Sequence, residues 1–242
     1  MKQNNDSKEL YDIIYMIDST GSMETFIQSV KEQCIEISQN LQKEFPNMNI
    51  LYGGIFYRDP VDVKGEKHDY QQLDTSEKLK KKMENVYADG GGDCPEDWVG
   101  AFKILLKTIK WRPGSKKLVF HMADAGAHGI KFSKEDDIHN SYEESGILED
   151  LIKECAKNQI SIIGYKIGEE PKLSFEQCKK IFDKNKDEFS YYDILEFPIE
   201  ILEEENNENN DLYCDHLKSV SKRVTRDITK STKEYIHFSK KI

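Results

Sequence analysis

The chain has 242 residues and a formal net charge of −10, with 37% apolar and 33% charged side chains. This length fits one ordinary domain with modest additions, and the acidic balance argues against nucleic-acid binding, because neutralising phosphates requires a basic surface. There is no apolar run of 18 residues to span a membrane, and the polar residues 1–9 do not resemble a secretory signal. The five cysteines are odd in number and lack a C-x-x-C pair, which favours reduced thiols and a cytoplasmic location.

Strand and helix patterns alternate along the chain, which predicts a parallel sheet wrapped by helices. The predicted strands are residues 13–17, 50–57, 117–123, 160–167 and 190–195, with a short polar edge strand expected between 61 and 73. The predicted helices are residues 26–45, 75–86, 95–110, 146–158 and 174–183. The expected fold class is therefore α/β: a doubly wound, Rossmann-like, mostly parallel sheet with helices on both faces and one antiparallel edge strand.

Composition divides the chain into four segments. They are a polar tail (1–9), a folded domain (10–199), an acidic low-complexity linker (200–211) and an amphipathic helix (212–242). The helix carries eight Lys or Arg against three Asp or Glu, with Leu217, Val220, Val224 and Ile228 on one face. This apolar stripe either packs on the domain or binds a partner or acidic surface, in which case Lys222, Arg223 and Arg226 are candidate contacts.

Oxygen side chains follow the first strand, where the buried apolar run ends. Asp18, Thr20 and Ser22 occupy alternate positions of a turn at the carboxyl end of that strand, where open α/β sheets bind ligands. A carboxylate and hydroxyls are hard donors, suited to Mg²⁺ or Mn²⁺ rather than zinc. Mg²⁺ is the expected ion, with Mn²⁺ as an alternative; Ca²⁺ is less favoured, because a hydroxyl-rich octahedral site suits a smaller ion.

Two later segments also present oxygen donors where a ligand site is expected. The loop 89–97 precedes a helix predicted to begin with Pro95 at its first position, and Asp124 follows the third central strand. Three separate segments can surround one six-coordinate ion. An ion held mainly by neutral oxygens retains its Lewis acidity and leaves a position for a carboxylate from a partner.

The pattern Asp-x-Thr-Gly-Ser-Met after a buried strand, with an aspartate ending a later strand, resembles the metal-ion-dependent adhesion site of von Willebrand factor type A domains. Three further motifs, at 56–59, 91–97 and 123–129, resemble the A domains of von Willebrand alpha-kinases, and the resemblance covers residues 10–195. It implies a metal site made of Asp18, Thr20, Ser22, Asp93 and Asp124. It also implies a protein-binding role without enzymatic activity, because no glycine loop that could cradle phosphate follows the A domain.

Two positions depart from the usual adhesion motif. Thr20 replaces the commoner serine and keeps the hydroxyl, and Asp93 stands where threonine is frequent. A carboxylate at position 93 strengthens metal retention but repels an acidic ligand. Asp97 and His128 are further candidates for partner binding on this face, although helix capping explains Asp97 equally well.

Three other functions can be considered from the sequence. The turn at Asp18 also resembles the phosphorylated turn of cation-pumping ATPases, which would make Asp18 a nucleophile, but those pumps need a membrane domain. Related soluble phosphatases carry aspartate at the position of Thr20. Cys94 with His121 or His128 offers a Cys–His pair, yet nothing in the sequence orients a base. A scaffold acting through its C-terminal helix, with a non-essential metal site, is the main alternative.

The sequence therefore predicts a metal-dependent protein–protein interaction module, an adaptor or scaffold component inside the cell. The predicted partner is a protein, with an acidic side chain at the metal as one option.

Overall fold

The computed structural model describes residues 9–59, 68–91, 94–134 and 141–196. Its strands are β1 (Leu10–Asp18), β2 (Asn49–Tyr57), β3 (His68–Asp74), β4 (Lys116–Ala123), β5 (Ile160–Lys166) and β6 (Tyr192–Glu196). They form one sheet in the order β3-β2-β1-β4-β5-β6. Neighbouring strands pair in parallel, except that β3 is antiparallel to β2. The predicted mostly parallel sheet with one antiparallel edge strand is confirmed.

Helices cover both faces of the sheet. They are α1 (Glu24–Glu44), α2 (Ser76–Met83), α3 (Trp98–Lys107), α4 (Tyr142–Lys157) and α5 (Lys172–Asn185). Alternation along β1 divides the core: Tyr15 and Ile17 belong to the apolar cluster with α1 and α2, whereas Ile14 and Met16 belong to the cluster with α3, α4 and α5. Because both faces of β1 are buried, the strand reads as a continuous apolar run, as expected for a central parallel strand.

Helix α1 shows why the periodicity in the sequence predicted it. Its buried apolar residues recur at spacings of three and four, namely Ile27, Val30, Cys34, Ile37 and Leu41. These spacings place one apolar stripe against the sheet. The observed helix begins two residues before the predicted one and ends one residue before it.

Helix α3 does not begin at Pro95, and this prediction was wrong. Glu96 instead forms an isolated parallel bridge with Ala127. The Asp97 side chain then accepts a hydrogen bond of 2.6 Å from the Gly100 amide, which makes Asp97 the N-cap. The proline is followed by extended backbone because its neighbour pairs with another segment, so the helix starts three residues later than predicted.

Some predictions fall outside the described residues. They include the acidic linker, the basic C-terminal helix with Lys222, Arg223 and Arg226, and Asp93, so the proposed domain boundaries stay predictions. Within the described ranges, no helix combines the length and apolarity needed to cross a membrane. Four of the five cysteines lie in these ranges, and all four are free thiols.

Candidate metal centre

The turn after β1 brings three predicted site residues together. Asp18 is fully buried at the end of the strand. Its Oδ1 accepts hydrogen bonds from the Thr20 amide at 3.0 Å and from the Thr20 hydroxyl at 2.7 Å. The Thr20 hydroxyl oxygen also lies 3.2 Å from the Ser22 hydroxyl oxygen. One carboxylate and two hydroxyls therefore form a continuous hydrogen-bonded group.

The glycine loop lies directly against this turn. The Gly21 amide donates to the Gly90 carbonyl at 2.7 Å, and a Cβ on Gly21 would lie only 2.8 Å from that oxygen. Gly91 adopts a φ of +85°, in the left-handed region that favours glycine. The two loops thus meet backbone to backbone, and this contact depends on glycine.

Glu96 joins the group from the end of the glycine loop, and no sequence pattern had assigned it a role. The residue is 2% exposed, and the neighbouring Thr20 side chain favours its ionised form. A Cβ built on Gly91 would lie 3.0 Å from Thr20 Cβ and 3.1 Å from Glu96 Oε1, which shows how closely these groups pack. One feature of the sequence could have indicated a role for Glu96. Several carboxylates follow directly after three glycines, more than the start of a helix requires.

Asp124 completes the group from the end of β4. It is partly buried, and the neighbouring Ser22 side chain favours its ionised form. Asp18 contacts the Thr20 hydroxyl, and Asp124 lies near Ser22, whose hydroxyl is the neighbour of Thr20. Of the five predicted metal residues, the structure brings together four, and the fifth is Asp93.

The donor chemistry of this group fits a hard divalent cation. Three buried carboxylate oxygens have no hydrogen-bond partner in the described structure: Asp18 Oδ2, Glu96 Oε2 and Asp124 Oδ1. A buried acceptor left unsatisfied costs about 1–3 kcal/mol, and more when it is charged. Within the described ranges, no three His, Cys, Asp or Glu side chains form a metal cluster by themselves. The fit therefore depends on the hydroxyls as well as the carboxylates.

The pKa values of these carboxyl groups also indicate that the group lacks a positive counter-charge. Burial and the neighbouring Asp124 carboxylate raise the pKa of Asp18 to about 7. Burial, followed by the Asp18, Asp59 and Asp124 carboxylates, raises the pKa of Glu96 to about 10. Burial also raises the pKa of Asp124. Protons therefore neutralise part of this group when no cation is bound, and a cation must compete with them.

Asp97 and His128 are both engaged within the protein. Besides capping α3, Asp97 places Oδ2 2.9 Å from His68 Nε2. His128 is 5% exposed, and its Nε2 lies 2.8 Å from Asp59 Oδ2. These pairs connect the loops around the candidate centre. The predicted contribution of either side chain to partner binding stays a prediction.

The environments of Cys94 and His121 do not favour a Cys–His nucleophile. Desolvation and the nearby Glu170 raise the pKa of Cys94 to about 11, the opposite of what a reactive thiolate needs. His121 is buried, with Nε2 2.9 Å from the Tyr57 hydroxyl and its ring centroid 4.2 Å from that of Trp98. Burial lowers the pKa of His121 to about 3, so the ring is a neutral core group.

The fold and the candidate site together define a class of protein. It is a doubly wound α/β domain with oxygen donors at the carboxyl edge of its sheet. The family profile of the von Willebrand factor A domain matches residues 12–148, more than half of the chain. The chain belongs to the von Willebrand factor A domain family.

Individual relatives agree with this assignment. The alpha-protein kinase vwkA of Dictyostelium discoideum is 29% identical over 185 residues, which cover 76% of this chain but only 29% of the kinase. The SpRpn10 VWA domain superposes with a TM-score of 0.53 and 16% identity, covering 77% of this chain and 88% of that domain. The pilus adhesin SpaC of Lactobacillus rhamnosus GG gives a TM-score of 0.55 at 12% identity, covering 93% and 31% of the two chains. At these identities the two structures show the fold alone.

Proposed function

We propose that this chain is a metal-dependent protein–protein interaction module that binds its partner at the carboxyl edge of the sheet. Domains of its family generally mediate protein–protein interaction and are typically not enzymes. One observation carries the metal dependence: buried carboxylate oxygens of Asp18 and Asp124 lack partners beside the hydroxyls of Thr20 and Ser22. Buried carboxylate oxygens without a hydrogen-bond donor are stabilised by a bound cation, which favours metal binding over acid–base catalysis as the role of this group.

Mg²⁺ is the proposed physiological ion, with Mn²⁺ as a substitute and Ca²⁺ less favoured. Asp18, Thr20, Ser22 and Asp124 would hold it, together with Asp93 on the strength of the motif. When bound, the ion would act as a Lewis acid that attracts an oxygen of the partner. We further propose an adaptor or scaffold role in the cytoplasm, which the four free thiols support.

Metal binding is tested by titrating Mg²⁺ into the metal-stripped protein by calorimetry and by thermal unfolding. For the wild type, Mg²⁺ at 100 times Kd should stabilise the fold by about 2.7 kcal/mol. Asp18→Ala and Asp124→Ala should lose this stabilisation. Glu170→Ala, which removes an exposed carboxylate, is the matched control and should keep it. Equal Mg²⁺ responses in all four proteins would contradict the metal site.

Partner binding is tested by pulldowns with and without chelator, using the wild type, Asp124→Ala and a chain ending at residue 205. The proposal expects a partner that is lost with chelator and with Asp124→Ala. Loss on truncation alone would instead favour the scaffold acting through its C-terminal segment. A metal-dependent phosphatase or ATPase turnover abolished by Asp18→Asn would overturn the non-enzymatic role.

A further inference from the structure

We propose that Glu96 is an additional, intramolecular ligand of the ion, occupying a coordination position that would otherwise be left to water or to a partner's carboxylate. This inference rests on the proposed metal site, and it concerns a residue outside the adhesion motif. Its starting point is a carboxylate that is 2% exposed and has one oxygen, Oε2, without a hydrogen-bond partner in the described structure.

Other buried carboxylates of the molecule show what Glu96 lacks. Asp12 is fully buried and forms an ion pair of 2.6 Å with Arg112. Asp59 is equally buried and lies 2.8 Å from His128. Among the described residues, Glu96 forms no ion pair with lysine, arginine or histidine. Since a buried charge is rarely tolerated without a counter-charge, Glu96 is suited to a positive partner that is not a side chain.

The hydroxyl of Thr20 cannot satisfy both acids beside it. Its single proton is directed to Asp18 Oδ1 at 2.7 Å, although Glu96 Oε1 also packs close to Thr20, since both lie about 3 Å from the position of a Cβ on Gly91. Two carboxylates therefore lie beside one hydroxyl donor, and each retains an unpartnered oxygen. A divalent cation resolves this shortage, because it accepts electron pairs from both carboxylates and from the hydroxyl oxygen.

The backbone holds Glu96 in the segment that faces the end of β4. Its amide donates to the Gly126 carbonyl at 2.8 Å, and the residue pairs with Ala127 in an isolated parallel bridge. Asp124 lies only two residues before Gly126. Backbone hydrogen bonds therefore hold the two segments side by side, and the Glu96 and Asp124 carboxyl groups are close enough to interact electrostatically.

A glutamate ligand from the chain itself changes which chemical group of a partner can bind at the ion. Asp18, Glu96 and Asp124 carry three formal negative charges against the two positive charges of the ion, before Asp93 is counted. An aspartate or glutamate from a partner would then approach a site that is already negative and is repelled. The position beside the ion is suited to a neutral or basic group of the partner protein.

The experiment uses Mn²⁺ as the probe on the full chain. Calorimetry gives the Kd, and water-proton relaxation reports the number of waters on the bound ion. Glu96→Gln keeps the side-chain shape and removes the charge; it should weaken Mn²⁺ binding about 10–100-fold and add about one water to the bound ion. Glu96→Asp, which keeps the charge on a shorter side chain, should give an intermediate Kd. Glu170→Gln is the control and should match the wild type.

An unchanged Kd and water count in Glu96→Gln, with binding abolished by Asp18→Ala, would overturn this inference and leave the proposed function intact. Failure of the wild type itself to bind Mn²⁺ would overturn both. Circular dichroism checks folding, and if Glu96→Gln does not fold, the Kd and water count of Glu96→Asp decide: values equal to the wild type would contradict a ligand role.

Discussion

Strand β1 carries a fully buried aspartate near each end, and the two are treated differently. At the amino edge of the sheet, both oxygens of Asp12 accept hydrogen bonds: Oδ1 from Arg112 Nε at 2.6 Å, and Oδ2 from the Arg112 amide at 2.9 Å and the Ser115 hydroxyl at 2.7 Å. At the carboxyl edge, Asp18 is just as buried, but its Oδ2 has no partner in the described structure.

Burial alone therefore does not distinguish a structural acid from a candidate binding acid. Asp12 is paired with the Arg112 guanidinium. Arg112 also donates to the Tyr11 and Asn49 carbonyls and so links β1 to β2 at this edge of the sheet. Asp18 lies among further acids and has only amide and hydroxyl donors. This difference in counter-charge is the basis for the proposed ligand site at the carboxyl edge.

The largest effect on stability is expected for a mutation at the amino edge of the sheet. Arg112→Ala leaves Asp12 buried without its counter-charge and should lower the free energy of unfolding by about 3–5 kcal/mol, measured by urea denaturation. The loss should be the same with and without Mg²⁺. As a control, Lys107→Ala removes an exposed ion pair with Glu154 and should cost less than about 1 kcal/mol. A cost that depends on Mg²⁺ would show that the two edges are not independent.

A second prediction concerns pH and separates the two edges. Because the pKa of Asp18 is raised from 3.8 to about 7 in the folded protein, its protonated form stabilises the fold. This stability is complete below about pH 4 and is lost as pH rises towards about 7. The metal-stripped protein should therefore be about 2 kcal/mol more stable at pH 5 than at pH 8, measured by urea denaturation.

Two controls test the origin of this pH effect. Asp18→Asn should reduce the difference between pH 5 and pH 8, and saturating Mg²⁺ should largely abolish it by binding the carboxylates at the higher pH. A metal-stripped protein that becomes steadily more stable from pH 5 to pH 8 would contradict the assignment of unpaired buried acids to this edge.

The smallest expected effect tests whether Asp97 belongs with Asp12 or with Asp18. Its two oxygens are occupied, one by the Gly100 amide and one by His68. Asp97→Ala should therefore cost about 1–2 kcal/mol of stability through the lost cap. Calorimetry should find Mg²⁺ affinity within about twofold of the wild type. Loss of Mg²⁺ binding would instead place Asp97 among the metal residues.

Local patterns in the sequence predicted the fold and four of the five residues grouped at the candidate centre; Glu96 is the fifth. Asp18, Thr20 and Ser22 are predictable because their spacing lies within one turn after a recognisable buried strand. Asp124 is predictable because parallel strands end at one edge. Each of these inferences uses only strand periodicity and the topology of α/β sheets.

The remaining contacts depend on tertiary pairing, which local patterns do not contain. Asp12 and Arg112 are 100 positions apart, and neither position marks the other. Glu96 looked like part of a helix start because Pro95 precedes it. Its bridge to Ala127 shows that the backbone there pairs with another segment instead of starting the helix, and its Oε1 packs near Thr20.

The position of Trp98 has a consequence for the entropy of binding. Its indole is fully buried against the rings of His121 and Phe175, only two residues beyond Glu96. The core thus restrains the chain next to the acidic group before any ligand arrives. The conformational entropy of ordering residues 94–98 is lost during folding rather than during association, so this part of the surface is already shaped before an ion or partner arrives.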